Sequence, residues 1–182
     1  MKSWKVLSSK RVFNSPYLRV RSDECLLPNG RRIRDYFVIE SRDWNVIFAL
    51  TRNGKVPLVR QYKHGAGRIV LELPAGVCEP DEKPADAIRR ELREETGYAV
   101  KGRMEEIFTF IPEPSQRANR AHAFFARGAE KTRGQDLDGT EEIEVELSTP
   151  KELLTLVREK KIVTPGHVAA ILMVREGHPE LF

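Results

Sequence analysis

The sequence predicts an α+β protein, an α/β/α sandwich in which a mixed central sheet follows an N-terminal antiparallel β-meander. Three observations favour this fold class. The first third of the 182 residues contains alternating apolar runs separated by turns. One stretch near the middle switches to helical spacing. Shorter strand-like runs then precede two amphipathic stretches. We expect an N-terminal β subdomain over residues 1–42 and a second domain over residues 43–182.

The N-terminal meander is predicted from apolar residues that alternate through Tyr17–Leu26 and again through Ile33–Ile39. Between them lies Pro28-Asn29-Gly30, a strong turn signal because Asn and Gly tolerate the positive φ values of a tight hairpin. Two further apolar runs, Asn45–Leu50 and Val56–Gln61, flank a short polar turn. They predict a second hairpin whose strands are buried on both faces and form the core of the sheet.

Helices are predicted at three places. Lys83–Thr96 has helical spacing, with Pro84 suited to the first turn and Gly97 suited to the position just past the end. A capping-box pattern at Thr149–Glu152 predicts the start of a second helix, and His167–Arg175 is a final amphipathic stretch. Strand-like runs occupy Met104–Phe110, His122–Ala126 and Ile143–Leu147. The polar stretch before the last strand is expected to be a mobile loop.

The composition limits the class of protein. Apolar residues make up 40% and charged residues 32%, which is typical of a globular protein, and no apolar run approaches the roughly 18 residues of a membrane span. The N-terminal MKSWKVLSSKRVF lacks the continuous apolar run of a secretory signal, so we expect a cytoplasmic protein. The formal net charge of +4 favours an anionic partner, either a phosphate-rich small molecule or nucleic acid.

The cysteines and histidines show no metal-ligand spacing. Cys25 and Cys78 are far apart in sequence, which is neither a disulfide framework nor a C-x-x-C pair, so we expect free thiols. The four histidines occur singly, and we expect surface or capping roles for them and no metal-ligand role. They are His64, His122, His167 and His178.

The segment Gly76–Tyr98 carries the strongest chemical signal. On a helix that turns by about 100° per residue, Glu91, Glu94 and Glu95 form an acidic arc beside an apolar arc. Like charges at this spacing destabilise an isolated helix, and a divalent cation with hard oxygen ligands would compensate them. Glutamates on a helix usually form only a solvated face, and this interpretation stays open for the helix taken alone.

The whole segment resembles the Nudix box, G-x5-E-x7-R-E-U-x-E-E-x-G-U with U a bulky apolar or aromatic residue, at every fixed position. The resemblance implies a Nudix fold and a hydrolase that uses Mg²⁺, with Mn²⁺ as the alternative. It places metal ligands at Glu91, Glu94 and Glu95, of which the last two are also catalytic. Ala75 would add a backbone carbonyl. Two residues would orient the carboxylates through charge-assisted hydrogen bonds, Glu82 and Arg90.

Features outside the box resemble the ADP-ribose pyrophosphatase branch, namely Gln61-Tyr62, Glu72–Gly76 and Pro114. The resemblance implies hydrolysis of ADP-ribose to AMP and ribose 5-phosphate, with Glu141 as the catalytic base on a late loop and Glu142 as the reserve candidate. It also implies a homodimer formed through residues 1–42. The positions that we expect to contact substrate are Tyr17, Arg34, Lys63, Glu72, Gly76 and Pro114.

Two departures from the branch keep other substrates open. Lys63 stands where the branch often has arginine, which replaces a bidentate fork by a point charge. The loop Pro112–Arg117 lacks the Ser-Pro-Gly that is common there. GDP-mannose, another nucleotide sugar or a dinucleotide are therefore alternatives, and a nucleotide-sensing Nudix domain without activity is an alternative from a different class. Nucleic-acid binding through Arg31–Arg34 is disfavoured because no aromatic residues interleave the cluster.

Overall fold

The computed structural model describes residues 1–16 and 18–182, so the expectation placed on Tyr17 lies outside the described residues. The chain divides into two compact units. The first consists of Met1–Arg42 and Ile111–Arg120, and the second of Asp43–Phe110 and Ala121–Phe182. In the part of the chain that the structure describes, no helix has the length and apolarity needed to cross a membrane.

The first unit contains a three-stranded antiparallel sheet in the order β1 (Lys5–Asn14), β2 (Arg19–Leu26) and β3 (Arg32–Glu40). The predicted turn joins β2 to β3. Gly30 has a φ of 82°, and its N–H donates to the carbonyl of Leu27 at 3.0 Å. The sequence analysis does not predict β1, whose residues are all exposed.

The segment Ile111–Arg120 is joined to β3 by backbone hydrogen bonds. The N–H of Ile39 donates to the carbonyl of Gln116 at 2.7 Å, and the N–H of Ala118 donates to the carbonyl of Ile39 at 3.2 Å. The predicted boundary at residue 42 places this segment in the second domain, because nothing in the sequence indicates that it pairs with the distant strand β3. The functional division at residue 42 stays a prediction.

The second unit contains two sheets. The mixed sheet has the order β7-β4-β10-β8, with β9 also paired to β10. Its strands are β4 (Trp44–Thr51), β7 (Ala75–Val77), β8 (Tyr98–Ala99), β9 (Met104–Phe110) and β10 (Ala121–Lys131). Only the pairing of β4 with β10 is parallel among these strands. The antiparallel sheet has the order β11-β5-β6. Its strands are β5 (Val56–Lys63), β6 (Arg68–Glu72) and β11 (Ile143–Ser148).

The predicted hairpin of β4 and β5 is wrong. The turn itself exists, because the N–H of Thr51 donates to the carbonyl of Lys55 at 2.8 Å. Beyond it the strands separate into different sheets, since β4 already has β7 and β10 as neighbours while β5 pairs with β6 and β11. Burial of β4 on both faces is confirmed, because its residues from Asn45 to Thr51 are all buried.

The described residues contain three α-helices, α1 (Pro84–Thr96), α2 (Pro150–Arg158) and α3 (Pro165–Gly177). The capping box of α2 is confirmed, because Thr149 Oγ1 accepts from the N–H of Glu152 while the Glu152 carboxylate accepts from the N–H of Thr149. Gly97 ends α1 with a φ of 75°, which glycine adopts without the steric cost that a Cβ imposes. Short 3-10 turns occupy His64–Ala66 and Pro179–Leu181.

The core lies on both faces of β4, and the alternation of its side chains explains why. Ile47 and Ala49 pack against Ile88 and Leu92 of α1. The opposite face packs against α2 and α3 through Val46, Phe48, Leu50, Leu153 and Ile171. A strand has a side-chain period of two, so its apolar run reaches both helical layers. This arrangement confirms the predicted α+β sandwich and anchors α1 to the sheet.

We expect the substitution Leu92→Ala to lower the free energy of unfolding by about 3 kcal/mol, because it leaves a cavity between α1 and the sheet. Leu92 has no exposed surface. The matched control is Leu172→Ala in α3, whose leucine is 43% exposed, and we expect a change within about 0.5 kcal/mol. Urea denaturation followed by circular dichroism measures both values. Equal losses in the two variants would contradict the packing of α1.

Candidate active site

The loop between β7 and α1 brings the start of the helix back towards β4. The N–H of Cys78 donates to the carbonyl of Asp43 at 2.9 Å. Further along, the carboxylate of Glu82 accepts from the N–H of Glu79 at 2.9 Å. These bonds position Glu82 just before the helix, two residues ahead of Pro84, where its carboxylate can reach the side chains of α1.

Arg90 lies at the centre of the acidic face of α1. Its Nε and Nη2 donate to the two oxygens of Glu82, each at 3.0 Å. Its Nη1 donates to Glu91 at 2.9 Å and to Glu94 at 3.0 Å, and Nη2 also donates to the carbonyl of Val77 at 3.2 Å. All five N–H donors of the guanidinium are therefore used. The hydrogen bonds from Arg90 lower the pKa of Glu82.

Glu95 is the most buried carboxylate of the helix. It is only 5% exposed, and it accepts a hydrogen bond from the N–H of Ala75 at 3.0 Å. Burial raises the pKa of Glu95 to about 8, and the charges of Glu91 and Glu141 act in the same direction, while the Ala75 bond and the charge of Lys63 oppose it. The ionised form of Glu95 is therefore costly until a positive partner is present.

Gly76 allows Glu91 to lie against β7. A Cβ placed on Gly76 would stand 2.0 Å from Cδ of Glu91, so any other residue would displace this carboxylate. Burial raises the pKa of Glu91, and Arg90 opposes that effect. The sequence analysis assigns Gly76 to substrate contact and misses this packing role, which the fixed glycine of the box could have indicated.

The donor set on α1 fits a hard cation, although the guanidinium of Arg90 is bound to two of the carboxylates. Among residues 1–16 and 18–182, no group of three or more His, Cys, Asp or Glu side chains has the spacing of a metal site. Arg90 Nη1 bridges Glu91 and Glu94. Carboxylate and carbonyl oxygens are nevertheless the ligands that Mg²⁺ prefers. The buried Glu95, whose ionised form lacks a cationic hydrogen-bond partner among these contacts, points to the same kind of ion.

Glu141 lies on the exposed loop that precedes β11. Its carboxylate accepts from the N–H of Asp138 at 3.1 Å, and its own N–H donates to the carbonyl of Asp138 at 2.9 Å. The negative charge of Glu141 contributes to the raised pKa of both Glu91 and Glu95. The loop thus brings a fourth carboxylate into the electrostatic neighbourhood of α1.

The residues expected to contact substrate are distributed over both units. Lys63 is exposed at the end of β5, and its charge lowers the pKa of Glu95. Glu72 is 6% exposed and accepts a hydrogen bond from Thr164. Arg34 and Pro114 are exposed residues of the first unit. Substrate contact by all these residues stays a prediction.

The expectation of a surface or capping role is wrong for His167. It is 2% exposed, and its Nδ1 accepts from the N–H of Leu73 at 3.1 Å, while Nε2 lies 3.6 Å from Glu72. Burial lowers the pKa of His167 to about 4, so the ring is neutral near pH 7. It therefore fixes the strand end that leads to Ala75. A single histidine in a helix gives no sequence signal for this contact.

Comparison with known proteins decides the family. A family model described as the NUDIX domain matches residues 41–167, more than half of the chain. The chain belongs to the Nudix family. A second model, the nucleoside diphosphate sugar hydrolase N-terminal domain, matches residues 4–39. The predicted membership of the Nudix hydrolases, in the branch of ADP-ribose and nucleoside diphosphate sugar hydrolases, is thereby confirmed.

Two individual relatives match this chain over most of their length. The Nudix chain is 30% identical to the methanol dehydrogenase activator of Bacillus methanolicus over 168 residues, which are 92% of this chain and 90% of the relative. It is 28% identical to the ADP-ribose pyrophosphatase of Bacillus subtilis (strain 168) over 159 residues, 87% and 85% of the two chains.

A solved structure gives the same fold. The crystal structure of an ADP compounds hydrolase superposes with a TM-score of 0.85 at 21% identity and covers 99% of this chain and 96% of that chain. At this identity the likeness supports the fold alone. It confirms the predicted Nudix fold. The family model and the similarity to the ADP-ribose pyrophosphatase of Bacillus subtilis identify the chain as a Nudix pyrophosphohydrolase.

The raised pKa of Glu95 predicts a pH-dependent stability. Between its ordinary value of 4.5 and about 8, the folded chain keeps a proton that the unfolded chain has lost. The stabilisation from protonated Glu95 is therefore complete below pH 4.5 and is lost as the pH rises through 8. Because Glu95→Gln cannot ionise, we expect its unfolding free energy, relative to wild type, to increase by roughly 3 kcal/mol between pH 5 and pH 8.5.

This measurement is made by urea denaturation in the presence of a chelator, so that no divalent cation offsets the buried charge. The matched control is Glu176→Gln, an exposed glutamate of α3, and its difference from wild type should be the same at both pH values. If the difference in unfolding free energy between Glu95→Gln and wild type did not change with pH, burial would not raise the pKa of Glu95.

Proposed function

We propose that this Nudix hydrolase cleaves ADP-ribose to AMP and ribose 5-phosphate. The observation that carries the proposal is the acidic face of α1, where Arg90 holds Glu91 and Glu94 while Glu95 is buried against Ala75. The similarity to an ADP-ribose pyrophosphatase over 85% of that relative's length supports the choice of substrate.

The metal in this proposal is Mg²⁺, with Mn²⁺ as the alternative, bound by Glu91, Glu94, Glu95 and the carbonyl of Ala75. A divalent cation at this position neutralises pyrophosphate charge and acidifies a bound water. The chain's own contribution is to orient the ligands. Arg90 anchors the carboxylates to Glu82, and the absence of a side chain on Gly76 leaves room for Glu91.

Two further side chains complete the proposed chemistry. Lys63 provides a positive charge for a substrate phosphate. Glu141 accepts a proton from the attacking water, whose oxygen forms the new bond to phosphorus while the P–O bond of the pyrophosphate breaks. A solvent-exposed position suits this role, because the carboxylate must exchange its proton with water after each turnover. The leaving phosphate then departs as one of the two phosphomonoesters.

Lys63 also favours a second candidate within the same class, another nucleoside diphosphate sugar such as GDP-mannose. Lysine binds phosphate as a flexible point charge, so it constrains the position of the pyrophosphate less than an arginine would. The two candidates share the metal ligands and the cleaved bond. They differ in the base and the sugar, which residues outside the acidic face of α1 must recognise.

The activity is tested by incubating the protein and Mg²⁺ with ADP-ribose, GDP-mannose, diadenosine polyphosphates, coenzyme A and NADH, and by identifying the products chromatographically. We expect the highest kcat/KM for ADP-ribose. Glu95→Gln should lower kcat by about 10³-fold or more, because a charged oxygen ligand is lost, whereas Glu176→Gln should retain wild-type activity.

Near-wild-type activity of Glu95→Gln would contradict the site. Nucleotide binding without hydrolysis of any substrate would instead favour the nucleotide-sensing alternative. Because Glu95→Gln keeps the size of the side chain, its circular dichroism spectrum and chromatographic elution should match those of wild type, which separates a loss of chemistry from a loss of fold.

We further propose that the chain forms a homodimer through the sheet of the first unit. The exposed apolar side chains of this unit include Trp4, Val6, Val12, Phe13 and Phe37. Several exposed large apolar side chains in one small unit favour a protein interface. A second copy would cover them and would also shield the strand β1, all of whose residues are exposed.

Sedimentation velocity tests the dimer. We expect a dimeric wild-type protein at micromolar concentration and a shift towards monomer for Phe13→Asp, because a charge in an apolar interface costs several kcal/mol. The control is Leu172→Asp, which places the same charge at an exposed leucine of α3 and should leave the dimer intact. A monomeric wild-type protein would disprove the proposal.

A further inference from the structure

We propose that Gln135 is a positioning residue that holds the Glu141 loop, residues 132–142, against the C-terminal turn of α1. This inference rests on the proposed function, because it assigns Gln135 a role in placing the proposed base. It goes beyond that function in naming the contact that joins the base to the metal-bearing helix.

The last carbonyls of α1 accept hydrogen bonds from the Glu141 loop. The final turn of a helix leaves carbonyl groups without partners inside the helix. Here the carbonyl of Glu94 accepts from the N–H of Asp136 at 2.9 Å, and the carbonyl of Glu95 accepts from Nε2 of Gln135 at 2.8 Å. The two residues whose side chains are proposed as metal ligands therefore hold the loop with their backbones.

Gly97 makes this close approach feasible. Its carbonyl accepts from the N–H of Thr132 at 2.9 Å. A Cβ added to Gly97 would stand 2.3 Å from the carbonyl oxygen of Arg133, so a side chain here would push the loop away from the helix. Gly97 is therefore required twice: it adopts the left-handed conformation that ends α1, and it lacks the side chain that would collide with the loop.

The C-terminal end of the loop, where β11 begins, is also held by the side-chain amide of Gln135. Nε2 of Gln135 also donates to the carbonyl of Ile143 at 2.9 Å, and a side-chain amide has two N–H donors for two acceptors. Gln135 therefore links the end of α1 to the start of β11 and closes the base of residues 136–142. Glu141 lies inside this closed segment, where its turn with Asp138 fixes it further.

The consequence concerns catalytic positioning. A loop whose base is open samples more conformations, and each one that moves Glu141 away from α1 is unproductive. Because the Gln135 amide binds the backbone carbonyls of Glu95 and Ile143 and is not one of the proposed substrate contacts, its loss should reduce turnover and leave substrate binding largely unchanged. The side chain acts through Glu141 and does not itself take part in proton transfer.

The test uses Gln135→Glu, which keeps the size of the side chain but removes both donors, together with Gln135→Ala. We expect kcat for ADP-ribose to fall about tenfold in each variant, part of what a positioned base contributes, with KM within about twofold of wild type. The control Lys131→Ala removes an exposed side chain of β10 just before the loop, and its kcat should equal that of wild type.

Amide hydrogen exchange, measured without metal or substrate, provides a readout independent of activity. We expect exchange in residues 136–142 to accelerate by about tenfold in Gln135→Glu and to stay unchanged in Lys131→Ala, because a lost hydrogen bond of ordinary strength changes local opening by about this factor. This result bears on the contact even if ADP-ribose is not the substrate, so failure of the proposed function is distinguishable from failure of this inference.

A double-mutant cycle with Glu141→Gln completes the test. If Gln135 acts through Glu141, then Gln135→Glu should lower kcat by less than about twofold in the Glu141→Gln background. Unchanged hydrogen exchange in Gln135→Glu would overturn the inference. A tenfold loss of kcat from Gln135→Glu in both the wild-type and the Glu141→Gln backgrounds would also overturn it, because Gln135 would then act independently of Glu141. Accelerated exchange with wild-type kcat would overturn it too, because the contact would then hold the loop without affecting Glu141.

Discussion

The structure of the site depends on one electrostatic constraint, the clustering of partly buried carboxylates and the buried Glu95 along one face of α1. Unpaired, such a face would oppose folding, because like charges repel and burial removes their water. Arg90 relieves part of this cost by donating all five of its hydrogens to acceptors around it. Glu95 is left outside this network, with a pKa raised to about 8 by burial. Glu95, which accepts no hydrogen bond from Arg90 in the network described above, is therefore the place on α1 where a cation would most reduce the cost of burial.

This arrangement requires α1 to be held rigidly, and the fold supplies that support from three directions. Ile88 and Leu92 pack against the face of β4 that contains Ile47 and Ala49. The N–H of Ala75 on β7 donates to Glu95, while buried His167 fixes the preceding backbone through Leu73. At its far end the helix receives hydrogen bonds from the loop that carries Glu141. A shift of the helix would therefore disturb the carboxylates and the loop together.

The success of sequence reasoning depended on how local each feature is. The bounds of α1 follow from Pro84 and Gly97, and the capping box of α2 follows from Thr149 and Glu152, because these signals act within one turn of a helix. The pairing of β4 was predicted wrongly, since a short turn to the next apolar run does not reveal which strands compete for its edges. The membership of Ile111–Arg120 in the first unit was missed for the same reason.

The sequence by itself determined the family, the bounds and acidic face of α1 and the class of hydrolase, because the spacing of the Nudix box is a local geometry that a helix imposes on its side chains. Only the tertiary structure decided how those side chains are supported. The need for Gly76 beside Glu91, the burial of His167 and the bridge made by Gln135 each join residues that are far apart in sequence. Such contacts arise from strand order and loop docking, which local propensity does not encode.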